Sequence, residues 1–156
     1  MGLYAAGWSH AGVNTADKPM ANLLGGTGQR LKIREIKVGI SVASTTAPLF
    51  YLVRTTARGT QTTTLAGIAL DPADVAAVGT VDSVWSADPT KAGTIATASI
   101  DVGGLAVTAG GMIIWTFSED SPLIIPATSG AGLAVYNSAA SGTTTGTLFG
   151  SFLWEE

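Results

Sequence analysis

Residues 31–42 read LKIREIKVGISV, and their alternation restricts the fold more than any other stretch of the chain. Leu31 and Ile33 alternate with Lys32 and Arg34, the pattern of a strand with one buried and one wet face. Glu35 then stands where an apolar residue is due, and Ile36, Val38, Ile40 and Val42 continue one step later. A one-residue slip in a period of two marks a β-bulge or a bend. A polar turn, Ser44-Thr45-Thr46-Ala47-Pro48, leads into Leu49–Thr56, which is apolar on both sides as far as Arg54. The two strands are expected to form a hairpin. The doubly apolar second strand needs a cover on its outer face, and a neighbouring subunit is the expected cover.

The rest of the chain carries strand signals at short, regular spacing. They fall at Thr80–Trp85, Thr94–Val102, Met112–Phe117, Leu123–Ile125, Gly132–Asn137 and Thr147–Trp154. Gly103-Gly104, Gly110-Gly111, Pro122, Pro126, Gly130 and Ser141-Gly142 break them. Such punctuation argues for a sandwich or barrel. Asp71-Pro72 is the clearest helix start, with Asp as N-cap and Pro at the first helical position, and gives a short helix over 71–79. The predicted fold is all-β: a jelly-roll-like β-sandwich of about eight strands over residues 30–156, with an extended N-terminal arm over 1–29 and one short helix. Leu3 and Tyr4 anchor a short strand at the start of the arm. Turn formers Gly12, Asn14, Asp17, Pro19, Asn22, Gly25, Gly26 and Gly28 follow. Two readings of the arm stand open: it lies over a neighbouring subunit, or it rests on its own domain through Trp8, Met20, Leu23 and Leu24.

A chain of 156 residues buries enough surface to fold without staples, and it has no cysteine to form any. Only 12% of its residues are charged, mean hydropathy is +0.38, and no charged side chain falls between Ser121 and Trp154. Either small polar residues make a neutral but wettable surface, or other protein covers much of it. Every apolar run is broken too soon for a spanning helix, so no membrane partner is expected. The N-terminus lacks the basic and apolar regions of a signal peptide. A net charge of −3 leaves no nucleic-acid footprint.

Reactive constellations are not legible. His10 is the only histidine; Gly7-Trp8-Ser9-His10-Ala11-Gly12 places its second glycine one residue late for a nucleophile elbow. Glu119 and Asp120 are adjacent on an extended chain and point apart. No run of acidic residues has calcium-loop spacing. Gly25-Gly26-Thr27-Gly28 lacks the Lys-Ser/Thr ending of a phosphate loop. Lys32, Arg34 and Lys37 read as the wet side of a strand. No catalytic residue, cofactor or metal is expected, and the chain is not expected to be an enzyme. Trp8 and Trp154, near the chain ends, are either tie-downs for those ends or interface anchors.

Three stretches together resemble tailed-bacteriophage head decoration (capsid cement) proteins: Leu31–Thr56, Met112–Pro126 (MIIWTFSEDSPLIIP) and Gly132–Glu156 (GLAVYNSAASGTTTGTLFGSFLWEE). The resemblance implies a structural virion protein on the outer surface of a capsid. It implies a homotrimer that bridges subunits of the major capsid protein and stabilises the shell. The expected capsid or subunit interface is then Leu3, Tyr4, Trp8, Met20, Leu23, Leu24 and Trp154. A second expectation is a trimeric tail or fibre head domain binding a host receptor, with Tyr51 and Tyr136-Asn137 as the aromatic and polar candidates for a glycan.

Overall fold

The computed structural model describes residues 2–10, 17–137 and 146–156. In chain order its strands are β1 (Leu3–His10), β2 (Lys18–Leu24), β3 (Leu31–Ile40), β4 (Leu49–Ala57), β5 (Thr60–Ala66), β6 (Ile68–Ala69) and β7 (Thr80–Ala87). They continue as β8 (Thr90–Lys91), β9 (Ser99–Gly104), β10 (Met112–Thr116), β11 (Leu123–Ile125), β12 (Gly132–Asn137) and β13 (Leu148–Glu155), with one helical turn, α1 (Ile95–Ala98), before β9. Two antiparallel sheets face each other across the core. The first runs β10-β3-β13-β1-β6, and β11 extends β10 along the same side of β3. The second runs β5-β7-β2-β12-β4-β8, with β9 also on β4.

Within these sheets, β1, β13, β3 and β10 face β2, β12, β4 and β9. The chain changes sheet at each step from β1 to β4 and again from β9 to β13, with β11 continuing in the sheet of β10. That is the order of a jelly roll. The expected β-sandwich is therefore present. The insertion between β4 and β9 widens it: β5 and β7 extend the second sheet beyond β2, and β6 extends the first beyond β1.

Several local expectations are corrected. β3 and β4 do not pair as a hairpin. β3 lies between β13 and β10 in one sheet, and β4 pairs β12, β8 and β9 in the other. Both strands are central and need ladders on both edges, which the eight-residue link lets them find in different sheets. The phase slip is a bulge: Leu153 pairs with Glu35 and Trp154 with Ile33, so Arg34 is the extra residue. β3 ends at Ile40, and Val42 lies exposed beyond it.

The stretch 71–79 forms no helix. Asp71 Oδ1 accepts the Ala73 N–H (2.9 Å) and the Asp71 C=O accepts the Asp74 N–H (3.0 Å), which makes a single turn. The last helical bond of a helix over 71–79 would join the Val75 C=O to the Gly79 N–H. The Tyr4 hydroxyl occupies that carbonyl (3.0 Å) and the Glu156 carboxylate accepts from that amide (2.7 Å), so tertiary partners outbid the helix. Among the described residues the one helix falls instead at Ile95–Ala98, inside the predicted strand Thr94–Val102.

The arm is the largest correction. Leu3–His10 is a strand between β13 and β6, and Lys18–Leu24 is a strand between β12 and β7. Both belong to the sandwich, so the division at residue 29 is not a domain boundary. Gly12, Asn14 and the break at Ser141-Gly142 lie outside the described residues. The core between the sheets takes Phe50, Leu52, Leu133 and Val135 from one side and Ile33, Ile36, Phe152 and Trp154 from the other, all fully buried. Each such side chain contributes about 1.5–3 kcal/mol of burial.

Candidate functional site

Alternation along β1 sends Tyr4, Ala6 and Trp8 inward and Leu3, Ala5 and Gly7 outward. The ring of Tyr4 stacks on Trp154 at 6.2 Å between centroids, and the Trp154 indole N–H donates to Glu156 Oε1 (2.9 Å). Trp8 lies across Gly150, whose missing side chain makes room for it. Met20, Leu23 and Leu24 are buried on β2. Six of the seven expected interface residues (Tyr4, Trp8, Met20, Leu23, Leu24 and Trp154) are thus buried inside this chain and face no partner. Leu3 is half-buried on the outer face, and its C=O accepts the Leu70 N–H (2.8 Å). Trp8 and Trp154 are tie-downs for the chain ends. The signal for this was in the sequence: Tyr4, Ala6 and Trp8 are spaced by two, but Ala5 and Gly7 between them give little contrast.

The outer face of β4 is also covered from within. Val53, Ala134 and Tyr136 form a second small cluster with Tyr51 and Ile95. The segment 88–98 lies over it. The Tyr136 hydroxyl donates to the Pro89 C=O (3.1 Å), and Lys91 Nζ sits 5.0 Å from the centre of the Tyr136 ring. Lys91 also pairs with Asp17 (2.7 Å). Burial, with Asp88 and Asp17 nearby, pushes the Tyr136 phenol well above its ordinary range. The cover expected from a neighbouring subunit is therefore the chain's own segment. Tyr136 and Asn137 are buried and Tyr51 is half-buried, so the aromatic and polar groups proposed for a glycan do not form an open site.

Beside this cluster lies a polar network. Asp82 is fully buried and accepts from Arg58 Nε (2.7 Å), Arg58 Nη2 (2.8 Å) and Thr64 Oγ1 (2.7 Å). These bonds hold the Arg58 guanidinium above its usual range. Thr55 Oγ1 donates to Asn22 Oδ1 (3.2 Å) in the same layer.

On the outer face of the first sheet, the basic stripe is neutralised. Arg34 Nη2 contacts Glu155 (2.5 Å) and Glu119 (3.5 Å), Lys32 pairs with Glu155 (3.7 Å), and Lys37 pairs with Glu35 (2.7 Å). The hydrogen bond from Arg34 lowers the Glu155 carboxyl below its ordinary range. His10 lies on a strand, not at a strand-to-helix turn, and burial lowers its imidazole. Among the described residues, no three His, Asp or Glu side chains stand together as metal ligands, and no helix is long and apolar enough to cross a membrane.

What this surface offers is apolar contact. Ile68 (70% exposed), Leu70, Val75 (79% exposed) and Val78 project around one corner of the first sheet. That corner is rigid: Ile68 pairs with Ala5, the Tyr4 hydroxyl holds Val75, and Glu156 holds the Val78 and Gly79 N–H groups. A second exposed pair, Met112 and Ile114, lies on β10 at the opposite edge of the same sheet. Sequence reasoning missed the corner because it read 71–79 as a helix. No protein-family model matches this chain, and no curated protein matches it.

Proposed function

We propose that this chain is a capsid decoration protein. It would bind the outer surface of a tailed-phage head, bridge neighbouring major capsid subunits, and act as a homotrimer. The observation that carries the reading is the rigid apolar corner of Ile68, Leu70, Val75 and Val78 on a jelly roll of low charge. Four aliphatic side chains held outward on a braced loop form a contact patch. The resemblance of Leu31–Thr56, Met112–Pro126 and Gly132–Glu156 to decoration proteins supplies the partner. The mechanism is binding energy alone: modest contacts, repeated over many copies, stabilise a lattice through avidity. β1 and β2 are strands of the sandwich, so neither is assigned to gripping the shell.

The test is addition of purified protein to undecorated phage heads, followed by cryo-electron microscopy. Density on the outer shell at threefold or quasi-threefold positions is the expected result. Ile68→Lys with Val75→Lys should abolish shell density while leaving the circular dichroism spectrum unchanged. Heads that stay bare, or density at the tail tip, would overturn the reading; the latter outcome points to receptor binding.

A further inference from the structure

β10 ends the first sheet with an open edge. The Phe117 N–H donates to the Arg34 C=O (2.9 Å) and the Ile40 N–H to the Gly111 C=O (3.1 Å). Between them, Ile113 pairs with Val38 and Trp115 with Ile36. Hydrogen-bonded pairs alternate with non-bonded ones in an antiparallel ladder. The odd-numbered residues of β10 therefore bond to β3, and Met112, Ile114 and Thr116 direct their N–H and C=O groups away from it. No described strand pairs on that side.

Every other free edge is blunted. On β9, the same counting from the Leu105 N–H bond to the Pro48 C=O (2.9 Å) turns the Val102 N–H outward, where the Asp101 carboxylate accepts it (2.7 Å). The pairing of β5 with β7 shifts register three times. β6 and β8 are two residues long, and β11 is three, with Arg54 Nη1 donating to the Ile124 C=O (2.7 Å). Charges, bulges and shortness are the means by which sheets avoid edge pairing. β10, Met-Ile-Ile-Trp-Thr, has no charge, no proline and no register shift.

We propose that the edge of β10 pairs antiparallel with the same edge of a second copy of this chain, about a two-fold axis at Ile114. The strand is self-complementary in this register. Ile114 faces its counterpart and Met112 faces Thr116 of the second copy, so all three outward-bonding residues meet outward-bonding residues. Six backbone hydrogen bonds form. Met112 and Ile114, 49% and 50% exposed, come together on the outer face, while Trp115 stays in the core. No like charges oppose. The contact is small, so pairing belongs to the micromolar range and to crowded surfaces. It is separate from the capsid reading and can join copies from neighbouring trimers.

The chain has no cysteine, so an introduced one reports cleanly. Ile114→Cys brings two thiols to positions whose Cα atoms lie about 5.5 Å apart, within disulfide reach. Thr116→Cys leaves them about 14 Å apart, because four residues at about 3.4 Å separate them. Mild oxidation should convert Ile114→Cys to a linked dimer on a non-reducing gel and leave Thr116→Cys at least tenfold less linked. Ile114→Pro removes an outward N–H and keeps the ladder to β3; the weight-average mass in sedimentation should then lose the contribution of the pair. Equal linking of the two cysteine variants overturns the register. Absence of linking at about 100 μM overturns the pairing. A trimer without a link at position 114 overturns it too and leaves the trimer standing.

Discussion

Replacing Arg58 with Met tests the buried network most directly. The variant keeps an apolar stem and removes both guanidinium bonds to Asp82. The carboxylate, fully buried, then retains one partner, the Thr64 hydroxyl. Removing one member of a buried ion pair costs about 3–5 kcal/mol. The Arg58 side chain is 38% exposed, so solvent screens part of the pair and the lower end applies, about 3 kcal/mol. For a chain of this length that lowers Tm by about 6–12 °C. Thermal unfolding followed by circular dichroism at pH 7 reads the shift. Adding Asp82→Asn removes the stranded charge and keeps a hydrogen-bonding side chain beside Thr64, so the double variant should recover most of the loss. A single variant within about 2 °C of the parent, or a double variant worse than the single, would refute the reasoning.

Glu155→Gln should cost about 1–3 kcal/mol at pH 7. The folded Glu155 carboxyl lies below its ordinary range because Arg34 bonds the charged form, so its stabilisation is present above the unfolded value and fades as pH falls through the folded one. Urea midpoints of parent and variant should converge at low pH; a gap that persists there counts against the pair. Gly150→Ala places a methyl against the Lys37 carbonyl and the Trp8 ring, which should cost about 1–3 kcal/mol in thermal unfolding. Gly7→Ala, whose nearest neighbour is the Gly150 carbonyl at 3.7 Å, should change stability by less than about 0.5 kcal/mol. A larger loss at position 7 than at 150 would contradict the fit of Trp8.

Strand positions were legible where apolar and polar residues contrast. The slip at Glu35 located the bulge at Arg34 to within one residue, because a period-two pattern records its own phase. Which strands become neighbours was not legible: β3 and β4 are adjacent in sequence yet lie in opposite sheets, a choice made by partners more than a hundred residues away in β3's case, since Ile40 pairs with Leu148. β1 was legible only at Leu3 and Tyr4, because Ala5 and Gly7 on its outer side give little contrast, and β2 was hidden because its Pro19 and Asn22 read as turn formers. The failed helix at 71–79 had good caps, and two long-range bonds from Tyr4 and Glu156 displaced it. The contact surface was least legible, because an outward-facing Val75 and a core Val81 read alike in sequence. Segment 88–98 shows the converse: a doubly apolar strand implied a foreign cover, and the chain supplied its own.

The placement of β13 governs how the molecule can be made. It lies between β1 and β3, and Leu3 pairs with Glu155. During synthesis the first sheet therefore has a gap at its centre until residues 148–155 leave the ribosome. Until then β1 and β3 lack the strand that pairs with both, and Tyr4 lacks the Trp154 ring it stacks on. Loop closure over nearly the whole chain must precede that sheet's completion, and contacts so distant in sequence slow folding. The native first sheet closes only after β13, the last of its strands in chain order, has emerged.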